Sequence, residues 1–360
     1  MEIGIVGLPK SGKTTLFNSL TRGKAETRAF GGAGSEPNVG IVKVPDARLD
    51  GLQALLKPRR LIPAEIKYVD VAIQSERKDG LSGPARSHLT KTDGLLGVIR
   101  VFGDESVPSV GGVDPWGDIG ALNADLVLAD LVIAENRLQR IGESLKGAKS
   151  PERENLLKEQ SFVQRIKGML DDGVPVRDQG LSDDEMRMAE SYQFLSNKPL
   201  LLVLNIGEDQ LPQAEAIEEE AKRRFPRFSA AAICAKLEME LGQLSDDEAA
   251  EFRSAMGVGE GALQRIIRLS YGLVGMISFF STASGEVRAW SVKRDTPAPK
   301  AAGRIHSDME RGFIRAEVVA YDDLVKCGGL AEARRQGLLR LEGKNYLVQD
   351  GDVITFLFSV

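Results

Sequence analysis

Apolar and polar positions along this chain fall into three textures. In the first half, and again after residue 198, short runs rich in Ile, Val and Leu recur: Glu2 to Val6, Ile41 to Val44, Ile66 to Val71, Leu95 to Phe102 and Leu200 to Leu204. Several are nearly continuous apolar stretches, as expected of strands covered on both faces in a parallel α/β sheet. They predict one doubly wound, mostly parallel domain, interrupted.

The interruption runs from Asp118 to Phe194. Val127, Leu131, Ala134, Leu138, Ile141 and Leu145 alternate spacings of four and three, which places them along one helical seam, a short coiled-coil signature. Gly147 to Ser150 break the pattern. Ser150-Pro151 suits an N-cap followed by a first-turn proline, and Leu156, Val163, Ile166 and Leu170 supply a second apolar stripe. Two antiparallel helices forming a protruding arm are the simplest arrangement; ordinary helices packed on the main core are the alternative. From Met276 onward the texture changes to short β-like runs: Val287 to Val292, Phe313 to Val319, Tyr346 to Val348 and Val353 to Phe358. Asp350-Gly351-Asp352 reads as the tight turn of a hairpin joining the last two. The predicted division is residues 1–117 with 195–275, an inserted helical arm over 118–194, and a small α+β domain over 276–360.

Composition narrows the chemistry. The 360 residues suffice for about two or three domain-sized cores. No stretch reaches the apolar length of a bilayer span, and Met1 to Gly7 read directly as a strand rather than as a signal peptide. No membrane partner is expected, and a cytoplasmic location is. Two cysteines, Cys234 and Cys327, make neither a disulfide framework nor a cysteine zinc site. Two histidines, His88 and His306, leave almost no material for a histidine triad or a multi-histidine metal centre. A net charge of -5 removes any globally basic nucleic-acid footprint, so no DNA partner is expected and RNA contact requires a local patch.

One motif carries chemistry. Gly7-Leu8-Pro9-Lys10-Ser11-Gly12-Lys13-Thr14 follows a predicted strand and precedes the helical pattern Thr15-Leu16-Phe17-Asn18-Ser19-Leu20, the context of a Walker A phosphate loop. Backbone N–H groups must turn inward around anionic phosphates; Gly7 and Gly12 permit those conformations, and the helix N-terminus adds its positive end. The expected ligand is a purine nucleoside triphosphate with Mg²⁺, held by Leu8 through Thr15. Lys13 neutralises the β and γ phosphates. Thr14 offers its hydroxyl to Mg²⁺, and Asp70, closing Ile66-Lys67-Tyr68-Val69-Asp70, is the acidic partner.

At these residues the chain resembles the YchF, or Obg-like, ATPases of the translation-factor class. Gly4 to Pro9, Glu36-Pro37-Asn38-Val39-Gly40, Val44-Pro45-Asp46-Ala47-Arg48-Leu49 and Lys57-Pro58-Arg59-Arg60 are similar to the family's N-terminal signatures. Arg288-Ala289-Trp290, His306 to Ala316 and Glu342 to Asp352 are similar to its C-terminal ones. The resemblance implies a nucleotide domain, a coiled-coil arm and a terminal TGS domain of β-grasp fold. It also implies ribosomes or ribosomal RNA as partners. Between Ala134 and Gly168, eight basic residues face five acidic ones, a local surplus that suits RNA and equally suits a solvated helical surface.

Base choice is read from Asn205-Ile206-Gly207-Glu208, where a guanine-specific relative carries Asn-Lys-x-Asp. The longer Glu208 alters the carboxylate geometry that guanine needs, and Ile206 removes the lysine. The resemblance associates this form with ATP, with GTP the less favoured ligand. Ile233-Cys234-Ala235-Lys236 resembles the family's other base-side loop, with Cys234 structural rather than reactive.

Three departures stand where γ-phosphate and water are handled. Gly34-Ser35-Glu36-Pro37-Asn38 lacks the family's threonine, with Ser35 one position late. Asp70-Val71-Ala72-Ile73 lacks a glycine whose amide senses the γ-phosphate, and the stretch from Gln74 to Gly83 is short. Gly97 stands in place of a histidine in Leu96-Gly97-Val98-Ile99-Arg100-Val101-Phe102. Binding needs none of these, whereas hydrolysis draws on all, so slow or absent turnover is expected. No catalytic residue is assigned. His88 is read as an exposed loop residue and His306 as structural.

Overall fold

The computed structural model of the chain describes residues 1–23, 36–71, 81–104, 112–255, 261–283 and 285–359. In chain order the strands are β1 (Glu2–Val6), β2 (Asn38–Lys43), β3 (Arg60–Ile62), β4 (Glu65–Asp70), β5 (Gly94–Arg100) and β6 (Leu200–Asn205). They continue with β7 (Ser229–Ile233), β8 (Met276–Ala283), β9 (Glu286–Lys293), β10 (Phe313–Ala320), β11 (Arg340–Glu342) and β12 (Asp352–Phe358). The first eight helices are α1 (Lys13–Thr21), α2 (Ala47–Leu56), α3 (Gly83–Leu89), α4 (Pro115–Leu145), α5 (Glu152–Asp171), α6 (Asp183–Tyr192), α7 (Ala214–Arg224) and α8 (Ala235–Leu241).

The chain divides into two compact units, Met1–Gly40 with Lys67–Leu263, and Ile41–Ile66 with Gln264–Val360. Residues 41–66, which the sequence division groups with the nucleotide domain, therefore fold with the C-terminal residues. In the first unit, β1 pairs in parallel with β4 and β5, β5 with β6, and β6 with β7, in the sheet order β2-β4-β1-β5-β6-β7. After β1 the chain builds β4 on one side and β5 on the other. That reversal opens a crevice at the C-terminal end of β1, where open α/β sheets bind ligands. Every residue of β5 and of β6 is buried, which explains their unbroken apolar runs.

The inserted helices take something from both arrangements the sequence allowed. Ile119, Leu122, Leu126 and Ala129 of α4 belong to the core that includes Val6, Leu95 and Leu204. Val127, Ala134 and Ile141, seven residues apart, instead pack with Val163, Ile166 and Leu170 of α5. Leu131, Leu138 and Leu145 lie half-buried along the same seam. The pair is antiparallel: Arg137 meets Glu159 at 2.6 Å, Glu135 meets Lys167 at 3.5 Å, and Arg153 donates to the Leu145 carbonyl. Ser150 is not the cap of α5; the helix starts at Glu152 behind Pro151, with no side-chain cap. A carboxylate ties α4 to the chain entering β6. Asp130, 0% exposed, accepts from the Leu195 and Ser196 amides at 2.6 and 2.7 Å.

The second unit holds a mixed sheet, β11-β10-β12-β8-β9-β3. β10 pairs antiparallel with β12, β12 parallel with β8, and β8 antiparallel with β9. The helix Ala298–Ile305 buries Ala298, Ala301 and Ala302 against Phe279, Val318 and Phe356. The expected hairpin is corrected here. Tyr346 to Val348 form no strand: Leu347 makes only an isolated bridge to Pro297, and the tight turn at Asp350-Gly351 leads into β12, whose antiparallel partner is β10. Asp350 has other work. Its carboxylate receives both arms of the Arg48 guanidinium, at 3.0 and 3.1 Å, and the Ser278 amide at 2.9 Å. Together with the parallel pairing of β3 on β9, this fork places residues 41–66 in the second unit.

Replacing Asp130 by Ala strands two buried amide donors. The expected loss of unfolding free energy is about 2–4 kcal/mol, read by urea denaturation. A loss below about 0.5 kcal/mol would show that water satisfies those amides.

Candidate nucleotide site

The loop between β1 and α1 has no slack. Three of its residues take left-handed backbone: Gly7 at φ 150°, Lys10 at 64° and Gly12 at 93°. A Cβ on Gly7 would run into the Val98 carbonyl oxygen, and one on Gly12 into the Asn205 amide nitrogen. Both glycines are therefore required by space as well as by conformation. Leu8 is half-buried, Pro9 and Lys10 are exposed, and Ser11 is 1% exposed with its hydroxyl lacking a partner. α1 starts after Gly12 with no side-chain cap, leaving its first amides for an anion.

Lys13 folds back over this loop, donating to the Gly7 carbonyl at 3.1 Å and the Leu8 carbonyl at 2.9 Å. Burial pushes its pKa down to about 8, opposed by the negative charge of Asp70. Thr14 donates its hydroxyl to Asp70 Oδ2 at 3.0 Å. Asn38 Nδ2 approaches the same oxygen at 3.4 Å, a neighbour the sequence reading missed although Asn38 lies inside the Glu36-to-Gly40 block. Among the described residues no cluster of three or more His, Cys, Asp or Glu could hold an ion unaided. A threonine hydroxyl and one carboxylate suit Mg²⁺, which binds through few protein ligands and completes its shell with phosphate oxygens and water. The uncapped α1 and the left-handed backbone at Gly7, Lys10 and Gly12 fit a phosphate chain.

On the other side of the loop, Asn205 acts as a brace. Its amide nitrogen donates to the Ser11 carbonyl at 3.0 Å, and its side-chain oxygen accepts from the Ala235 amide at 3.1 Å. Ile206 is 2% exposed and its side chain lies in the core. Cys234 and Ala235 are buried where β7 passes into α8, and burial pushes the Cys234 thiol up, as an inert structural cysteine requires. Glu208 points outward, 3.9 Å from the Lys236 ammonium. Thr15 lies in the first turn of α1, its carbonyl receiving the Ser19 hydroxyl.

Gly97 lies in β5 beneath α4. A side chain there would enter the layer of Leu122, Leu200 and Leu202, whose methyl groups stand 2.9, 3.2 and 3.5 Å from a Cβ. Glycine at this point in β5 answers a packing constraint from α4. The readings placed on Gly31 to Ser35 and on Ala72 to Gly80 lie outside the described residues. His88 is exposed on α3, on a helix rather than a loop. His306 accepts from the Asp308 amide at 3.2 Å and caps the helix Ser307–Arg311.

The family model MMR_HSR1, described as "50S ribosome-binding GTPase", matches residues 2–112, and YchF-GTPase_C, described as "Protein of unknown function (DUF933)", matches residues 276–359. "Ribosome-binding ATPase YchF" of Bacillus subtilis is 39% identical over 100% of both chains, and that of Haemophilus influenzae is 38% identical over 100% of this chain and 99% of its own. The chain belongs to the YchF family. A solved structure, "Structure of the Schizosaccharomyces pombe YchF GTPase", covers 99% of this chain with a TM-score of 0.85 at 27% identity, over 97% of its own length. The P-loop fold of the first unit is thus a YchF family fold, and nucleotide binding comes with it. No described helix is long and apolar enough to cross a membrane.

Asn205→Ala removes both bonds of the brace. The expected result is about 1–3 kcal/mol lost from chemical denaturation of the first unit, with a separate fall in nucleotide affinity in calorimetry. Unchanged values in both would show that the loop holds its shape without Asn205.

Proposed function

We propose that this chain binds ATP with Mg²⁺, hydrolyses it slowly when alone, and works in association with ribosomes. The observation that carries the reading is the phosphate loop: an uncapped helix start, a buried ammonium on Lys13, and Thr14 hydrogen-bonded to Asp70. Leu8 through Thr15 are the phosphate-side residues. Asn205, Ile206, Glu208, Cys234 and Ala235 are the base-side residues, Asn205 and Ile206 acting by shaping the wall. Thr14 and Asp70 hold Mg²⁺, which when bound supplies charge neutralisation for the phosphates.

Adenine over guanine is supported by Glu208, which replaces the aspartate of a guanine clamp and leans toward Lys236 instead. The names of the relatives differ on the base, ATPase for the bacterial proteins and GTPase for the fission-yeast one, so a direct competition is the deciding measurement. Slow turnover is supported by the missing threonine before Glu36 and by Ile73 in place of a glycine. A ribosomal partner is supported by the relatives' names and by the basic surplus of the helical pair. Residues 276–360 are read as a TGS-type β-grasp domain on the same footing. The altered switch positions also favour a second reading, an adaptor that binds nucleotide and does not turn it over.

Calorimetric titration with ATP and GTP, beside a phosphate-release assay with and without ribosomes, separates these. ATP is expected to bind at least about tenfold more tightly than GTP. Release without ribosomes is expected below about 10⁻² per second. Equal affinities would end the adenine assignment, brisk release without ribosomes would end the slow-turnover claim, and Lys13→Ala is expected to abolish triphosphate binding.

Lys13 also sets a pH dependence. Bound phosphates need the ammonium and raise its pKa, whereas the free site titrates at about 8. Affinity is therefore full below pH 8 and falls above it, by about tenfold at pH 9. An ATP affinity equal at pH 7 and pH 9 would contradict this.

A further inference from the structure

The first unit has a second concavity, remote from the phosphate loop. A cavity of about 300 Å³ opens between the start of α4, the single turn Val176–Asp178 and the connection from α7 to β7. Strands β1, β5, β6 and β7 run in parallel, and the phosphate loop follows the C-terminal end of β1. Residues 225–228 enter β7, so this cavity lies at the opposite edge of the sheet. Its walls are apolar at Ile119, Phe225 and Phe228, and three cations, Arg177, Arg224 and Arg227, outnumber its one carboxylate, Asp178.

Two of these cations have carboxylates close by: Arg227 is paired with Asp178, and Arg224 with Glu220. Arg177 is held differently. Its guanidinium lies 4.9 Å from the centre of the Phe228 ring, donates to the Ser196 carbonyl at 2.6 Å, and donates to the Asn123 side-chain oxygen. Both acceptors are neutral, and its Nε–H is buried without a partner. Burial works against the charge, Asp178, itself in the cavity wall, and Asp130 favour it, and Arg227 opposes it. An arginine keeps its proton in proteins, so a half-buried charge whose terminal nitrogens have only neutral acceptors is an electrostatic deficit that an anion entering the cavity would relieve. The surrounding rings favour a flat apolar body over bulk water.

We propose that this cavity binds a small organic anion, a carboxylate carried on an aromatic or similarly flat apolar body. The carboxylate anchors on Arg177, and the body packs against Phe225 and Phe228. The inference is independent of the nucleotide reading, since no residue of the cavity belongs to the phosphate loop or the base-side wall.

Trp116 reports on this place. Its ring lies 6.5 Å from that of Phe225 and 5.1 Å from the Arg224 guanidinium. The chain has two tryptophans, so Trp290→Phe isolates the Trp116 fluorescence, and calorimetry on the unsubstituted full-length chain checks the same titration. Benzoate is the probe, with benzamide as its neutral counterpart and acetate as an anion lacking the ring. The expected result is a saturable response to benzoate, with benzamide and acetate each at least about tenfold weaker. Saturating ATP and Mg²⁺ leaves that response unchanged. Gly120→Leu is the test variant: a Cβ there meets nothing within 4 Å, so the leucine extends into the opening without disturbing packing. It is expected to abolish benzoate binding at an unchanged melting temperature. Absence of a saturable response, equal binding of acetate or benzamide, or full binding by Gly120→Leu would overturn the proposal.

Discussion

The loop after β1 is pressed against β5 and β6 so closely that two of its residues can carry no side chain. Gly7 backs onto the Val98 carbonyl and Gly12 onto the Asn205 amide, and the rest of the site follows from that contact. The backbone, driven into left-handed conformations, turns its amides to one side. Lys13 then finds the loop's own carbonyls within reach, and α1 begins with its first amides uncapped. A parallel sheet with β1 at its centre supplies the rigid floor. The anion site is therefore a product of backbone packing, with side chains added at its rim.

This division explains what could be read from residues alone. The phosphate loop was legible because glycine spacing, lysine and threonine encode a backbone conformation, and because a strand and a helix flank it. The seam of α4 was legible because its seven-residue period survives any detail of docking. The grouping of residues 41–66 was not: Arg48 reaches Asp350 across some three hundred positions of sequence, and no local pattern announces such a pairing. Tyr346 to Val348 show the opposite failure. Their β-like composition is satisfied by one bridge and by burial of Val348, so propensity promised a strand that tertiary context did not need.

The segment from Asn205 to Glu208 has a related lesson. Asn205 and Ile206 sit in a segment whose sequence suggests direct contact with a purine, yet one spends its hydrogen bonds on Ser11 and Ala235 and the other fills the core. Residues that read in sequence as ligand contacts can be taken up by the packing of the protein itself. Gly97 adds a packing role that its place in the motif does not announce: in β5 it is the clearance that lets Leu122 of α4 close over the sheet.

The excursion between Asn38 and Asp70 bears on how the molecule can be dissected. Its two ends meet beside Thr14, while its middle supplies β3 to the other sheet and Arg48 to Asp350. A contiguous fragment ending near residue 263 would keep that middle but lose the strand it pairs with. The complementary fragment would expose the flank of β9 and leave the Asp350 carboxylate without its guanidinium. Neither half is a self-sufficient piece of polypeptide, and a clean excision would have to remove residues 41–66 along with the C-terminal segment and rejoin the cut ends.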